Sequence, residues 1–250
     1  MPLSGTLDVA REIPSAPRME GFGAEPWEIA RAEILQATFE IDDSAMTSLL
    51  PPALHPTIPP VVMFTVARYP DSPVGPFALA QVRLGSRAGV RPRGYLLRAY
   101  CDTDAACEAL ASGWGYACRR GEITLRRYHD RIGATVVVDG AEVLRVSLID
   151  PEPISGADVF YVASMNLARV TEDGEEHVVL VQVDPEYRFH RAERGRPEIA
   201  IFGRAAWAAE DVEPVYPVVA SAAVCDTGFP AIRYVCDALR PAIAGTRKVG

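Results

Sequence analysis

Short runs rich in Val, Ile, Leu, Tyr and Phe recur along this 250-residue chain, and turn signals separate them. The runs lie at residues 33–41, 61–69, 77–84, 94–101, 122–128, 133–138, 142–148, 177–188, 198–202 and 218–224. Asp139-Gly140 between two of them is typical of a hairpin turn. This pattern predicts a mostly β protein, with about ten strands in a mainly antiparallel sheet that forms a barrel or a sandwich.

Helical patterns are scarce and short. Three segments predict helices, at residues 43–50, 104–112 and 229–239. Asp42 or Asp43 can cap the first, and Asp102 or Thr103 can cap the second. The third carries an apolar stripe formed by Ile232, Val235, Cys236 and Leu239. Residues 1–20 are polar and contain prolines, so we expect an N-terminal arm followed by a single domain over residues 21–250.

Charge and hydropathy exclude several classes of partner. The net charge of −8 and pI of about 5.1, without a basic stripe, argue against nucleic acid. The longest apolar stretches, such as residues 61–67, are too short to span a bilayer. The N-terminus lacks the pattern of a signal peptide. We therefore expect a cytoplasmic protein that has no membrane partner.

The sequence shows no motif for a metal or an organic cofactor. Its five cysteines are odd in number and have no CxxC spacing, which indicates neither a disulfide framework nor a zinc site. The four histidines are scattered without metal-ligand spacing. Gly-rich phosphate loops and the common hydrolase motifs are absent. We expect the protein to use no cofactor.

Several stretches, in order, resemble the acetoacetate decarboxylase superfamily. They are VVMFTVARYPDSPVG at 61–75, GYLLRAYCDT at 94–103, GWGYACRRGEITL at 113–125, GATVVVDG at 133–140, MNLARV at 165–170 and PVVASAAVCDTGFPAIRYVCDAL at 217–239. The resemblance covers about residues 20–240. It implies a cone-shaped antiparallel β-barrel or double sheet with few short helices, a closed internal pocket and assembly into homo-oligomers.

The chemistry of that family is a Schiff base formed by a lysine in a Gly-aromatic-Pro-Lys-Lys motif. Here the corresponding segment is Gly115-Tyr116-Ala117-Cys118-Arg119. The resemblance places Cys118 at the nucleophilic lysine and Arg119 at its cationic neighbour.

The family's other pocket residues are also replaced. Its two glutamates correspond to Thr65 and Leu79, and its arginine falls near Ala32, with Arg31 adjacent. The only lysine in the chain, Lys248, lies two residues from the C-terminus. Arginine cannot replace a lysine nucleophile because its guanidinium stays protonated. The resemblance therefore identifies a member without the Schiff-base lysine.

Three side chains of the replaced motif are candidate catalytic groups. Arginines beside Cys118 would favour its thiolate, although a free cysteine can equally be a buried apolar residue. Arg119 can bind a carboxylate or an enolate if it points inward. Tyr116 completes the catalytic set. Trp114 is a candidate pocket wall or a packing residue, and Arg31, Thr65 and Leu79 are candidate substrate contacts.

Three functions remain open. The first is a lysine-independent cyclase, isomerase or dehydratase of secondary metabolism that acts on a polyketide-like, keto or enone substrate. The second is a non-catalytic protein that binds a ligand on an inactive enzyme scaffold. The third is a lyase that depends on Cys118. Because a fold does not determine a function, the site has to decide between them.

Overall fold

A computed structural model describes residues 3–249, in which one large sheet carries most of the regular structure. Its strands are β1 (Arg18–Met19), β2 (Trp27–Glu40), β3 (His55–Pro56), β4 (Val61–Tyr69), β5 (Phe77–Ala88), β6 (Arg91–Cys101), β7 (Cys118–Arg120), β8 (Glu122–Arg127), β9 (Arg131–Val138), β10 (Ala141–Ile154), β11 (Ser164–Glu172), β12 (Glu175–Val183), β13 (Arg188–Phe202), β14 (Tyr216–Phe229), β15 (Tyr234–Asp237) and β16 (Thr246–Lys248). The helices are α1 (Val9–Glu12), α2 (Asp43–Leu49), α3 (Asp104–Trp114) and α4 (Ala242–Gly245). Single 3₁₀ turns lie at Ile13–Ser15, Gly156–Asp158 and Arg204–Trp207.

The prediction of a mostly β fold with few short helices is confirmed. Along the sheet the strand order is β16-β15-β12-β11-β6-β5-β4-β2-β14-β13-β10-β9-β8, and β1, β3 and β7 pair at its side. The structure differs from the expected arrangement in two details. The sheet is mixed, because β6 pairs in parallel with β7 and β11, and β1 pairs in parallel with β11. Within residues 3–249 it is also not closed into a barrel.

Two apolar cores cover the two faces of the central strands β2, β4, β5 and β6. Successive side chains of a strand point to opposite faces, so Val62, Phe64 and Val66 of β4 enter one core. Ala67 and Tyr69 of the same strand enter the other. Strands buried on both sides read as almost continuous apolar runs, and this explains the composition of residues 61–69 and 77–84.

Helix α3 is the longest helix, and the segment that follows it enters the core that contains Ala67 and Tyr69. Thr103 caps its N-terminus by accepting a hydrogen bond from the Ala106 N–H at 3.2 Å. Gly115 ends it with a φ of 68°, and a Cβ there would lie 2.9 Å from the Cβ of Ala168. Glycine at this position therefore satisfies both the left-handed backbone and the close contact. The next residue, Tyr116, enters the core.

The helix predicted at residues 229–239 is absent. The segment instead contains strand β15, which pairs with β12 and β16. Val235 and Cys236 are buried as the pattern suggested, but Leu239 at the end of the supposed stripe is 65% exposed. A short apolar run fits either a helix or a strand, and here the hydrogen bonds offered by β12 decide for the strand.

The described part of the N-terminal arm packs against the domain. Val9, Ala16 and Met19 are buried, and the Gly5 N–H donates to the Leu54 carbonyl at 2.9 Å. Residues 1–2 of the predicted arm lie outside the described residues. The helices found in residues 3–249 are all too short or too polar to cross a membrane.

Candidate active site

A small cavity lies between the β4–β5 region of the sheet and three loops. It has about 30 Å³ of space for the centres of water molecules. Sheet residues of its wall include Thr65, Tyr69, Gln81, Arg83 and Thr227, and the loops contribute Tyr116, Tyr161 and Tyr187. Thr65 stands opposite Gln81 on the neighbouring strand and opposite Gln36 on the other side. A polar row thus crosses three adjacent strands inside an otherwise apolar region.

Arg83 lies two residues after Gln81 on β5 and binds two members of this polar row. Its Nη2 donates to Gln36 Oε1 at 3.0 Å and to Thr65 Oγ1 at 3.1 Å, and its Nη1 donates to the Val162 carbonyl at 2.9 Å. Thr65 also donates to Gln36 Oε1 at 3.2 Å. These contacts hold the guanidinium fork in one orientation beside the cavity.

The positive charge of Arg83 has no acidic partner among residues 3–249. The residue is 5% exposed, it makes no ion pair within 4.0 Å, and its Nε has no hydrogen-bond acceptor. A guanidinium does not lose its proton in a protein, and a buried charge is normally paired. Arg83 is therefore a preformed site for an anionic or strongly polarised oxygen.

Four tyrosines surround the same space and stay protonated. Burial raises the pKa of Tyr69, Tyr161 and Tyr187, and it raises the pKa of Tyr116 to about 12. The hydroxyl of Tyr161 is buried without a hydrogen-bond partner, as are Thr227 Oγ1 and Gln81 Oε1. Unpaired buried polar atoms cost free energy, so a ligand or water that pairs with them binds favourably.

A larger open cleft of about 1090 Å³ adjoins the cavity. The two spaces share a wall formed by Pro185, Tyr187, Thr227, Gly228 and Phe229. The residues of this wall therefore face the cavity on one side and the cleft on the other. A substrate larger than a few atoms requires this wall to move or to open toward the cleft.

The structure brings two of the predicted site residues into the cavity, Tyr116 and Thr65. Leu79 lies on β5 in the adjoining core, 1% exposed. Trp114 packs edge-on against Trp27 at 5.0 Å, and its Nε1–H donates to the Pro230 carbonyl at 2.7 Å. Trp114 is thus a packing residue beside the wall, and Leu79 is not among the residues that line the cavity.

The other three predicted residues lie elsewhere. Arg31 is exposed in a bulge of β2 with a φ of 54°, where its N–H donates to Asp226 Oδ1 at 3.0 Å. Arg119 is exposed on β7. Cys118 is half-buried, and its sulfur contacts those of Cys101 and Cys107 rather than the cavity.

The sequence analysis did not predict six residues that belong to this site: Arg83, Gln36, Gln81, Tyr161, Tyr187 and Thr227. Part of the signal was present, because Gln81 and Arg83 interrupt an apolar strand at positions i and i+2 and therefore face the same side. Polar residues on one face of a strand that is buried on both faces indicate a polar pocket. The loop tyrosines carry no such pattern, since irregular segments have no period.

A family model described as acetoacetate decarboxylase (ADC) matches residues 12–238. The chain belongs to the acetoacetate decarboxylase family. Among solved structures, the acetoacetate decarboxylase of Legionella pneumophila is 17% identical with a TM-score of 0.75, covering 86% of this chain and 88% of its own. A search of curated proteins gives no match.

Two further solved structures show that the family fold carries other enzymes. The enduracididine biosynthesis enzyme MppR, with HEPES buffer bound, is 16% identical with a TM-score of 0.68, covering 87% of this chain and 90% of its own. An acetoacetate decarboxylase-like enzyme from Sphingomonas wittichii RW1 is 17% identical with a TM-score of 0.63, covering 90% and 92%. At these identities the likeness establishes the acetoacetate decarboxylase fold.

The protonation of Tyr116 gives a direct test of the cavity's polarity. We expect the tyrosinate absorbance that is lost in Tyr116→Phe to develop with a midpoint near pH 12, because burial raises the pKa of this phenol from its ordinary value of 10.0 to about 12. The phenol loses its proton more easily in the unfolded chain than in the folded one. Its contribution to the free energy of unfolding is therefore fully present below pH 10 and is lost as the pH rises through 12. A spectrophotometric titration of both proteins measures it. A midpoint near 10 would show that water reaches the hydroxyl freely.

Proposed function

We propose that this protein is a cofactor-independent enzyme that binds a small keto or enone substrate, polyketide-like in character, through Arg83. It catalyses a cyclisation, isomerisation or dehydration in secondary metabolism, without a Schiff base. The observation that carries the proposal is the buried, hydrogen-bonded and uncompensated guanidinium of Arg83 at the cavity wall.

A fixed cation stabilises the charge that develops on a carbonyl oxygen when a neighbouring carbon loses a proton. Donors that are already oriented need no reorganisation during the reaction, and their effect is large where water is excluded. The Val162, Gln36 and Thr65 contacts supply that orientation to Arg83. A substrate carboxylate or enolate would also pair the buried charge, which favours binding of such substrates over neutral ones.

The remaining cavity groups suit the movement of a proton rather than attack on carbon. Tyr116 and Tyr161 are neutral donors at physiological pH, since burial raises the pKa of each phenol. Tyr161 has no hydrogen-bond partner of its own, so its hydroxyl is free to meet a substrate oxygen. Isomerisation, cyclisation and dehydration need one conformer to be held and one proton to be moved, and these groups can do both.

Imine chemistry has no suitable amine in this chain. The single lysine, Lys248, is exposed on β16, and the family resemblance implies that Cys118 replaces the family lysine. Neither Cys118 nor Arg119 lines the cavity, so the geometry favours a reaction based on Arg83 over a Cys118-dependent lyase. We further propose that the protein acts in the cytoplasm as a homo-oligomer, as the family resemblance implies.

A comparison of metabolites by mass spectrometry tests this function. The strains are the native one, a deletion of the gene, and the deletion complemented with wild type, Arg83→Met or Arg68→Met. Arg68 lies on β4 and pairs with Glu33 at the exposed side, so it serves as a matched control. We expect a precursor to accumulate in the deletion and in Arg83→Met but not in Arg68→Met.

The mass of the precursor names the reaction. A mass equal to that of the product indicates isomerisation or cyclisation, and an excess of one water indicates dehydration. An excess of one carbon dioxide would mean decarboxylation and would contradict our proposal. If no metabolite changes while the protein is being made, the protein is a ligand-binding member of the family, the second function that the sequence allows.

A further inference from the structure

Three cysteines that are separated in sequence meet at one point outside the cavity. Cys101 ends β6, Cys107 lies in the first turns of α3, and Cys118 begins β7. The Cys118 sulfur lies 3.2 Å from that of Cys101 and 3.4 Å from that of Cys107, and all three sulfurs lie within 4.8 Å of one another. We call these residues the thiol triad.

We propose that the thiol triad is a binding site for one soft d10 metal ion, Zn²⁺ or Cu⁺. Thiolates are the ligands that both ions prefer. Sulfur atoms that share one zinc ion each lie about 2.3 Å from it, so any two of them must be within about twice that distance. The two contacts of Cys118 already meet this limit. The third pair needs at most a small adjustment of side-chain torsions.

The backbone around the triad holds the sulfurs together without the ion. Strands β6 and β7 pair in parallel, with Ala99 opposite Cys118 and Cys101 opposite Arg120. Helix α3 connects these two strands and is fixed at its start by the Thr103 cap. A ligand set that the fold has already assembled loses little conformational entropy when the ion binds.

A cation lies beside the triad. The Arg120 guanidinium donates to the Cys101 carbonyl at 3.3 Å. Three thiolates around Zn²⁺ carry one net negative charge, and around Cu⁺ they carry two. Arg120, which also pairs with Asp104 at 3.1 Å, offsets part of this charge.

The triad is accessible to ions in solution. Cys101 is buried, but Cys107 and Cys118 are half-buried. No histidine or carboxylate of the described residues belongs to the cluster, so the ion has three protein ligands. That number suits trigonal Cu⁺, or Zn²⁺ with a water as its fourth ligand. Binding displaces the thiol protons to solvent and transfers no electrons, so it needs no oxidant.

Titration of the reduced, chelator-treated protein tests the site. Zn²⁺ and Cu⁺ are added separately in competition with a chromophoric chelator for each ion, and Co²⁺ is used as a spectroscopic probe of sulfur ligation. We expect one ion per chain and a thiolate-to-cobalt charge-transfer band. Loss of a residue that hydrogen-bonds to a metal ligand weakens metal binding by about 10–100-fold. Loss of a ligand itself should cost more, so we expect a larger decrease in affinity in each serine variant of Cys101, Cys107 or Cys118. If only Zn²⁺ or only Cu⁺ binds tightly, that ion is the one the site selects.

Cys225→Ser and Cys236→Ser are the matched controls. Both cysteines are buried and lie outside the triad, so these variants should bind the ion like wild type. Circular dichroism of every variant checks that it is folded, and a thiol assay checks that all five cysteines are reduced before titration. The proposal is overturned if neither ion binds the folded, reduced wild type, or if the controls lose binding as much as the triad variants do.

Discussion

Replacing Arg83 by methionine should remove ligand binding and turnover while leaving the protein as stable as wild type. Loss of a preorganised donor to a developing oxyanion typically costs about 10²–10³-fold in rate. Methionine keeps much of the buried apolar volume. The desolvation penalty of an unpaired buried charge disappears, which offsets the lost bonds to Gln36, Thr65 and Val162. We expect the free energy of unfolding to change by less than about 1 kcal/mol or to increase.

Two further variants separate the charge of Arg83 from its shape. Arg83→Lys keeps a positive charge but lacks the planar fork, so it should restore part of the binding and little of the turnover. Arg68→Met removes an exposed arginine and should change stability by no more than about 0.5 kcal/mol. Denaturant unfolding and calorimetric ligand titration measure both quantities. A loss of several kcal/mol in Arg83→Met would instead assign Arg83 to the support of the fold.

Replacing Trp114 by alanine should lower the free energy of unfolding by about 3–5 kcal/mol, because deletion of a buried aromatic ring leaves a cavity. Trp114 is 2% exposed and packs on Trp27 and Phe229 with ring centroids at 5.0 and 5.3 Å. Its indole N–H also satisfies the Pro230 carbonyl. Equilibrium denaturation at constant m-value measures this loss.

Trp114→Phe is the matched control, because it keeps a ring and removes only the donor and part of the volume. We expect it to lose about 1–3 kcal/mol and to bind ligand like wild type. Phe229, which Trp114 supports, belongs to the wall between cleft and cavity, so the alanine variant should also bind ligand more weakly. If Trp114→Phe keeps its stability but loses the ligand, Trp114 contacts the substrate directly.

Much of the fold could be predicted because strand composition and turn chemistry are local. The runs at 61–69 and 77–84 lie in β4 and β5, and Asp42, one of the two predicted caps, caps α2. The segment 229–239 could not be assigned correctly, because strand β15 depends on hydrogen bonds from β12, whose partner residues lie more than fifty positions away. The parallel pairs of β6 likewise depend on which strands meet in space.

The site was only partly predictable for a related reason. The resemblance led to Tyr116 and Thr65, which do line the cavity. Cys118 and Arg119 were chosen from the same motif, but the side-chain directions on the three-residue strand β7 follow from its pairing with β6. Proximity in sequence to Tyr116 carried no information about that direction.

The sequence alone determined the fold class, the family and the limits on the chemistry. Its strand runs, turns and caps are local properties, and its single lysine restricts imine formation whatever the fold. Only the tertiary structure joined Arg83 to Gln36 and Thr65, and Cys118 to Cys101 and Cys107. Cross-strand register decides which side chains share a face, and a shift of one residue would turn each of them to the other side. That register results from burial of the whole sheet, which no single segment of the sequence specifies.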